Sequence, residues 1–200
     1  MSEVLSLVDE GPSHVLGLEV GSSQVQPGVY FPRAGELFRR REREEEEEEK
    51  RRGYEIREER LTDQDAQNAP KLFLPPGTSP NKTYLVVSLD IDAPYPSCTI
   101  LGPILHWVQS GLTASTSGGE LTGSAPTVAN YIGPAPPPLS SPHRYIFVLY
   151  EEPAGFNAAE RAPPNGQDFP TWQRVRFDMD KWAEEAGLGE PLSVNYFVSN

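Results

Sequence analysis

The 200-residue chain has one cysteine, Cys98, three histidines and two methionines. A lone cysteine excludes an intramolecular disulfide and any CxxC or zinc-ribbon arrangement. Cations are scarce outside one segment. Residues 39–52, RRREREEEEEEKRR, hold seven basic and seven acidic side chains and sum to zero; widening the window to 36–60 gives nine against eleven. The other 175 residues carry 8 Lys/Arg against 18 Asp/Glu, within a net charge of −12. A surface so poor in cations cannot track a phosphate backbone, which excludes nucleic acid as a partner, and it disfavours broad docking on anionic lipid. No stretch approaches the ~18 apolar residues a membrane helix needs. The N-terminal MSEVLSLVDEGPSHVLGLEV lacks the basic region and apolar core of a secretory signal. The expectation is a cytoplasmic protein in a reducing compartment. Walker-type, GxGxxG and GxSxG patterns are missing too, which removes nucleotide-binding and α/β-hydrolase readings.

What the chain has in quantity is proline (21) and glycine (17). Together they exceed the ~12% of average usage but stay below the ~25–30% that signals disorder. Prolines cluster at 75–80, 94–103, 134–142 and 153–170, between apolar runs. That is the punctuation of a mainly β fold with long, shaped loops. A single domain over 1–200 fits the length. The charged block at 39–60 reads as an exposed or disordered insert, since its i,i+4 ion pairs contribute only ~0.3–0.5 kcal/mol each.

Strands are predicted where apolar residues alternate. In TYLVVSLDID (83–92), Leu85, Val87, Leu89 and Ile91 share one face, and Tyr84, Val86, Ser88, Asp90 and Asp92 the other. In HRYIFVLYE (143–151), His143, Tyr145, Phe147 and Leu149 oppose Arg144, Ile146, Val148 and Tyr150. Apolar side chains on both faces mark both as central strands. ILHWVQS (104–110) places Ile104, His106 and Val108 on one side and Leu105 and Trp107 on the other. YFPRAGELF (30–38), GYEIREERLT (53–62) and PLSVNYFV (191–198) read as further extended segments. Residues 1–20 have room for one short helix. A second is predicted over 177–189, with Asp178 as N-cap and Gly187 or Gly189 ending it.

Two of the three histidines, His106 and His143, fall on the best strands, and Asp90 and Asp92 close a third. Buried imidazoles and carboxylates must be hydrogen-bonded or paired, so polar groups at strand ends tend to converge. They can simply be satisfied core groups. They can also form a two-His, one-carboxylate metal site, for which no HxH or HExxH spacing exists, or a His/Asp acid–base pair, or an anion pocket.

At these residues the pattern resembles a known family. YLVVSLDIDAP (84–94), LHW (105–107), YIGPAPP (131–137) and HRYIFVLYE (143–151) are similar to the signatures of phosphatidylethanolamine-binding proteins. There, DPDAP leads to a His-Trp or His-His pair, and a GxxPP loop closes on HRY. His106 lies 14 residues after Asp92 and His143 six after Pro137, as the family spacing requires. The tail FDMDKWAEEAGLGEPLSVNYF (177–197) looks like the closing helix and strand of fungal members.

The resemblance implies an antiparallel Greek-key β-sandwich with peripheral helices and a C-terminal helix. It also implies a small anion pocket built from Asp90, Asp92, Ala93, Pro94, His106, Pro137, His143 and Tyr145, with no metal and no cofactor. His106, His143 and Tyr145 would donate to a phosphate or carboxylate oxygen, Asp90 would orient an imidazole or receive an ammonium group, and Arg144 would serve as a salt-bridge partner. Three departures stand out: DIDAP replaces DPDAP, Tyr95-Pro96 replaces the usual Ser-Arg and takes a cation from the pocket mouth, and Ser140-Ser141-Pro142 replaces a glycine-rich turn. The implied function is a binding protein rather than an enzyme. It would take a phospholipid headgroup or small carboxylate or phosphate, and regulate a serine protease such as carboxypeptidase Y, or a kinase. The alternatives are an accessory or catalytic protein of a fungal secondary-metabolite pathway handling maleic-anhydride or dicarboxylate units, and a protein-binding module that docks through the insert.

Overall fold

The computed structural model describes residues 2–31, 66–115, 119–123, 125–164 and 167–200. The charged block at 39–60 and the extended segment expected at 53–62 lie outside the described residues, as does all but the start of 30–38.

Among the described residues nine strands run β1 Gly17–Val20, β2 Ser23–Val25, β3 Val29–Phe31, β4 Lys71–Phe73, β5 Thr83–Asp90, β6 Ile104–Ala114, β7 Glu120–Gly123, β8 His143–Glu151 and β9 Ser193–Ser199. They join in one sheet, ordered β2-β1-β4-β7-β6-β5-β8-β9-β3, antiparallel except for β3 beside β9. The mainly β fold expected from the sequence is what forms. Among the described residues four α-helices are peripheral: α1 Ser2–Ser6, α2 Ala158–Arg161, α3 Thr171–Arg174 and α4 Met179–Ala186.

The predicted faces of β5 and β8 hold. Tyr84, Val86, Tyr145, Phe147 and Leu149 enter one core with Leu16, Leu18, Trp107 and Phe197. Leu85, Val87, Leu89, Ile146, Val148 and Tyr150 enter a second, covered by Phe177, Met179 and Trp182. Both strands are therefore enclosed on both sides, with β5 flanked by β6 and β8. The strand β5 stops at Asp90 instead of Asp92, although the Ile91 N–H, which a proline would lack, still donates to the Arg144 carbonyl at 3.3 Å.

The alternation predicted for 104–110 fails at one place. Ser88 pairs with Trp107 but Leu89 pairs with Leu105, so His106 is an extra residue in β6. Leu105 and Val108 go to the second core, whereas Trp107 goes to the first. This bulge breaks the period of two and re-aims the imidazole. A second irregularity between Tyr84 and Val86 lies opposite Gly111, which adopts φ +65° with only 2.6 Å between an added Cβ and that of Ala125.

The closing helix forms because both ends are capped. The Asp178 carboxylate accepts from the Lys181 N–H at 3.1 Å, and Gly187 ends the helix at φ 70°. Met179 and Ala186 on its buried side face the second core with Trp182, whose ring lies 6.0 Å from that of Phe177.

Candidate functional site

The end of β5 and the beginnings of β6 and β8 lie at one end of the sheet, because Asp90 pairs with both Ile104 and Tyr145. Paired residues of antiparallel strands present side chains on the same face. Asp90, Tyr145 and His143 therefore converge. The His143 Nδ1 lies 2.8 Å from Asp90 Oδ2. The other carboxylate oxygen of Asp90 accepts the Asp92 N–H at 2.9 Å, which fixes its plane. On the far side of the ring, His143 Nε2 is 2.9 Å from the Ser140 hydroxyl. His143 is only 1% exposed.

His106 joins from the bulge, its ring edge-on to Tyr145 at 5.0 Å between centroids. Its Nδ1 lies 2.7 Å from the Ile132 carbonyl. A carbonyl can only accept, so Nδ1 carries the proton. Burial lowers the pKa of this imidazole, with the charge of Arg174 acting in the same direction against the Ile132 bond and Asp90. The neutral ring thus turns a lone pair, Nε2, away from Ile132. This corrects the donor role expected for His106. Tyr145 stays protonated, since burial and the nearby Asp90 charge push its pKa up.

Asp92 points elsewhere. It is buried and held by Arg144 through Nε at 2.8 Å, Nη2 at 2.7 Å and the backbone N–H at 2.9 Å. Burial opposes ionisation of this carboxyl, but the side-chain and backbone bonds from Arg144 outweigh it and hold the pKa below the usual range. The salt-bridge role expected for Arg144 is what forms. Of the remaining expected residues, Ala93 is buried and Pro94 half-buried on the chain leaving Asp92, while Pro137 receives the Ser140 N–H at 3.1 Å.

Two residues at this end escaped sequence reasoning. Ser140 was visible only as part of an unusual Ser-Ser-Pro turn. Arg174, on the four-residue α3, is 2% exposed, and its guanidinium donates to the carbonyls of Phe169, Leu105, His106 and Asn130 and to Asn130 Oδ1. It secures the backbone of the His106 bulge from behind. No periodicity announces a buried arginine on so short a helix.

Among the described residues no group of three or more His, Cys, Asp or Glu is arranged to hold a metal. A cavity of about 340 Å³ opens at the opposite end of β5 and β8, lined by Thr78, Lys82, Tyr84 and Glu151 among others. None of the expected site residues lines it.

The family model for phosphatidylethanolamine-binding proteins matches residues 46–197. The chain belongs to the phosphatidylethanolamine-binding protein family. Among family relatives, phomoidride biosynthesis cluster protein N of Talaromyces stipitatus is 33% identical over 122 residues, covering 58% of each chain. The carboxypeptidase Y inhibitor of Saccharomyces cerevisiae is 31% identical over 131 residues, again covering 58% of each. The matched part thus spans under two thirds of either relative. The solved structure of carboxypeptidase Y inhibitor complexed with its cognate proteinase is 21% identical, with a TM-score of 0.62 over 100% of this chain and 91% of that one, a likeness of fold. No helix among the described residues is long and apolar enough to cross a membrane.

Proposed function

We propose that this protein binds a small anion, a phosphate or carboxylate group on a headgroup or small acid, at the end of the sheet where Asp90, His106, His143 and Tyr145 meet. The observation that carries the reading is the convergence of two imidazoles and a protonated phenol with a carboxylate that fixes one of the imidazoles. Ser199, paired with His143 on β9, supports it: its hydroxyl is fully buried without a partner among the described residues and offers a spare donor. Asp92, Ala93, Pro94 and Pro137 form the surrounding rim.

The electrostatics favour a particular protonation state of ligand. Among the described residues no arginine pairs with Asp90, since Arg144 is committed to Asp92, and the His106 lone pair asks for a donor. A monoprotonated phosphate or a carboxylic acid supplies one hydroxyl to His106 Nε2 and accepting oxygens to Tyr145 and to the Ser140 hydroxyl that His143 Nε2 positions. A dianion cannot. Binding of a phosphate monoester should therefore weaken as pH rises through its second pKa, about 6.

Calorimetric titration with phosphate, phosphoethanolamine and maleate tests this. Binding that His143→Ala weakens by ~1–3 kcal/mol, as for loss of one hydrogen bond to a charged group, supports the site; affinity untouched by that substitution refutes it. The yeast relative adds regulation of a serine carboxypeptidase to the reading, testable by adding the protein to carboxypeptidase Y and following peptide hydrolysis. A second reading, service in a fungal secondary-metabolite pathway, is favoured by the similarity to the phomoidride cluster protein; preference for maleate over phosphoethanolamine would support it.

A further inference from the structure

The hydroxyl that meets His143 belongs to a chain of three groups whose order allows more than binding. Asp90 Oδ2, His143 Nδ1, His143 Nε2 and Ser140 Oγ follow one another through contacts of 2.8 and 2.9 Å. A nucleophile within reach of a base that a third group orients is the recognisable geometry of an activated serine, whatever the fold or chain order. We propose that Ser140, His143 and Asp90 form a nucleophilic centre acylated at Ser140 by small carboxylic esters.

Each part has a physical basis. Asp90 is held in place by the Asp92 N–H and in turn keeps the His143 proton on Nδ1, leaving Nε2 to take the serine proton. The Ser140 proton has two acceptors, each at 2.9 Å: His143 Nε2 and its neighbour's carbonyl, that of Ser141. Ser140 sits on a tight turn whose N–H is tied to the Pro137 carbonyl. The residue before it, Leu139, is fully exposed and adopts φ 68°, a left-handed conformation that costs a non-glycine residue energy. The Ser141 N–H, next after the nucleophile, makes no hydrogen bond among the described residues and is the donor the proposal assigns to a developing oxyanion. Ser140 is the outermost of the three at 9% exposure, with His143 and Asp90 behind it.

In the acylation step the Ser140 Oγ bonds to the ester carbonyl carbon as its proton passes to His143 Nε2. The carbon–oxygen bond to the alcohol then breaks, and that proton goes to the leaving oxygen. Water repeats the sequence on the acyl-serine, releasing the acid and restoring Ser140. Leu139 beside the serine and Tyr95 just beyond Asp92 are exposed large hydrophobic side chains, and the exposed Arg144 is engaged by Asp92. An uncharged ester with an apolar portion is the substrate class that fits.

The proposal shares the His143–Asp90 pair with the anion-binding reading but does not need an anion to bind. The test is to treat the intact protein with 4-nitrophenyl acetate and, separately, with a fluorophosphonate, reading nitrophenolate release and adduct position by peptide mass mapping. The expected result is a burst approaching one equivalent and a single adduct at Ser140. Ser140→Ala abolishes both, and Asp90→Asn and His143→Gln slow labelling by roughly 10²-fold or more, the contribution of a general base. No adduct, or one at any other residue, overturns the proposal even without a variant. If phosphate still binds in that case, only the nucleophile fails; if it does not, both readings fail.

Discussion

Replacing Arg144 by alanine isolates the ion pair at the rim of the site. Asp92 is 2% exposed and would keep its carboxylate buried with the backbone N–H of residue 144 as its remaining partner. Breaking a fully buried pair costs about 3–5 kcal/mol. The Arg144 side chain is 45% exposed, so water already screens part of the attraction, and one of three hydrogen bonds survives. The expected loss is about 1.5–3 kcal/mol at pH 7. Its pH dependence follows from the depressed pKa of Asp92. A carboxyl whose folded pKa lies below its unfolded value of about 3.9 adds stability above that value and loses it as pH falls through the folded pKa. Without Arg144, burial dominates and the carboxyl ionises at a cost, which protonation relieves. Wild type and variant should therefore converge in acid. Urea unfolding at pH 7 and pH 3 measures both. A difference below about 0.5 kcal/mol at pH 7, or one that persists unchanged at pH 3, refutes the reasoning.

Arg174→Met removes the donors to the Leu105 and Asn130 carbonyls behind the bulge, while the His106 carbonyl keeps the Ile132 N–H at 3.0 Å. Leaving buried acceptors unpaired costs ~1–3 kcal/mol each, so chemical denaturation should show a loss of at least about 2 kcal/mol; a neutral outcome would mean that the bulge holds itself. His106 has a lowered folded pKa, so the unfolded chain takes up its proton first and stability falls as pH drops below the unfolded value of about 6.5. His106→Asn should lessen that decline between pH 6.5 and 5 in thermal unfolding, and a decline of the same steepness would contradict the assignment.

How much of this was legible in the sequence depended on strand length. The strands β5 and β8 were readable because eight or nine residues with apolar groups on both faces leave little ambiguity, and β8 runs from His143 to Glu151 as predicted. The four-residue β1 and three-residue β4 are too short for periodicity and owe their place to neighbours in the sheet. The bulge at His106 was invisible because alternation assumes equal counts on both strands. Asp90 and His143 lie 53 positions apart, and only the family pattern connected them. The Ser140 hydroxyl depends on turn geometry, which a Ser-Ser-Pro triplet does not specify. Arg174 depends on carbonyls contributed by three separate segments.

The central claim is that His143, oriented by Asp90, faces an anion. Its most direct test is to follow the imidazole resonances of His14, His106 and His143 by NMR while inorganic phosphate is added at pH 6. The account predicts saturable shifts at His143 and His106, with His14, which lines the opposite cavity, unmoved. Shifts at His14 alone, or none at His143, would contradict it.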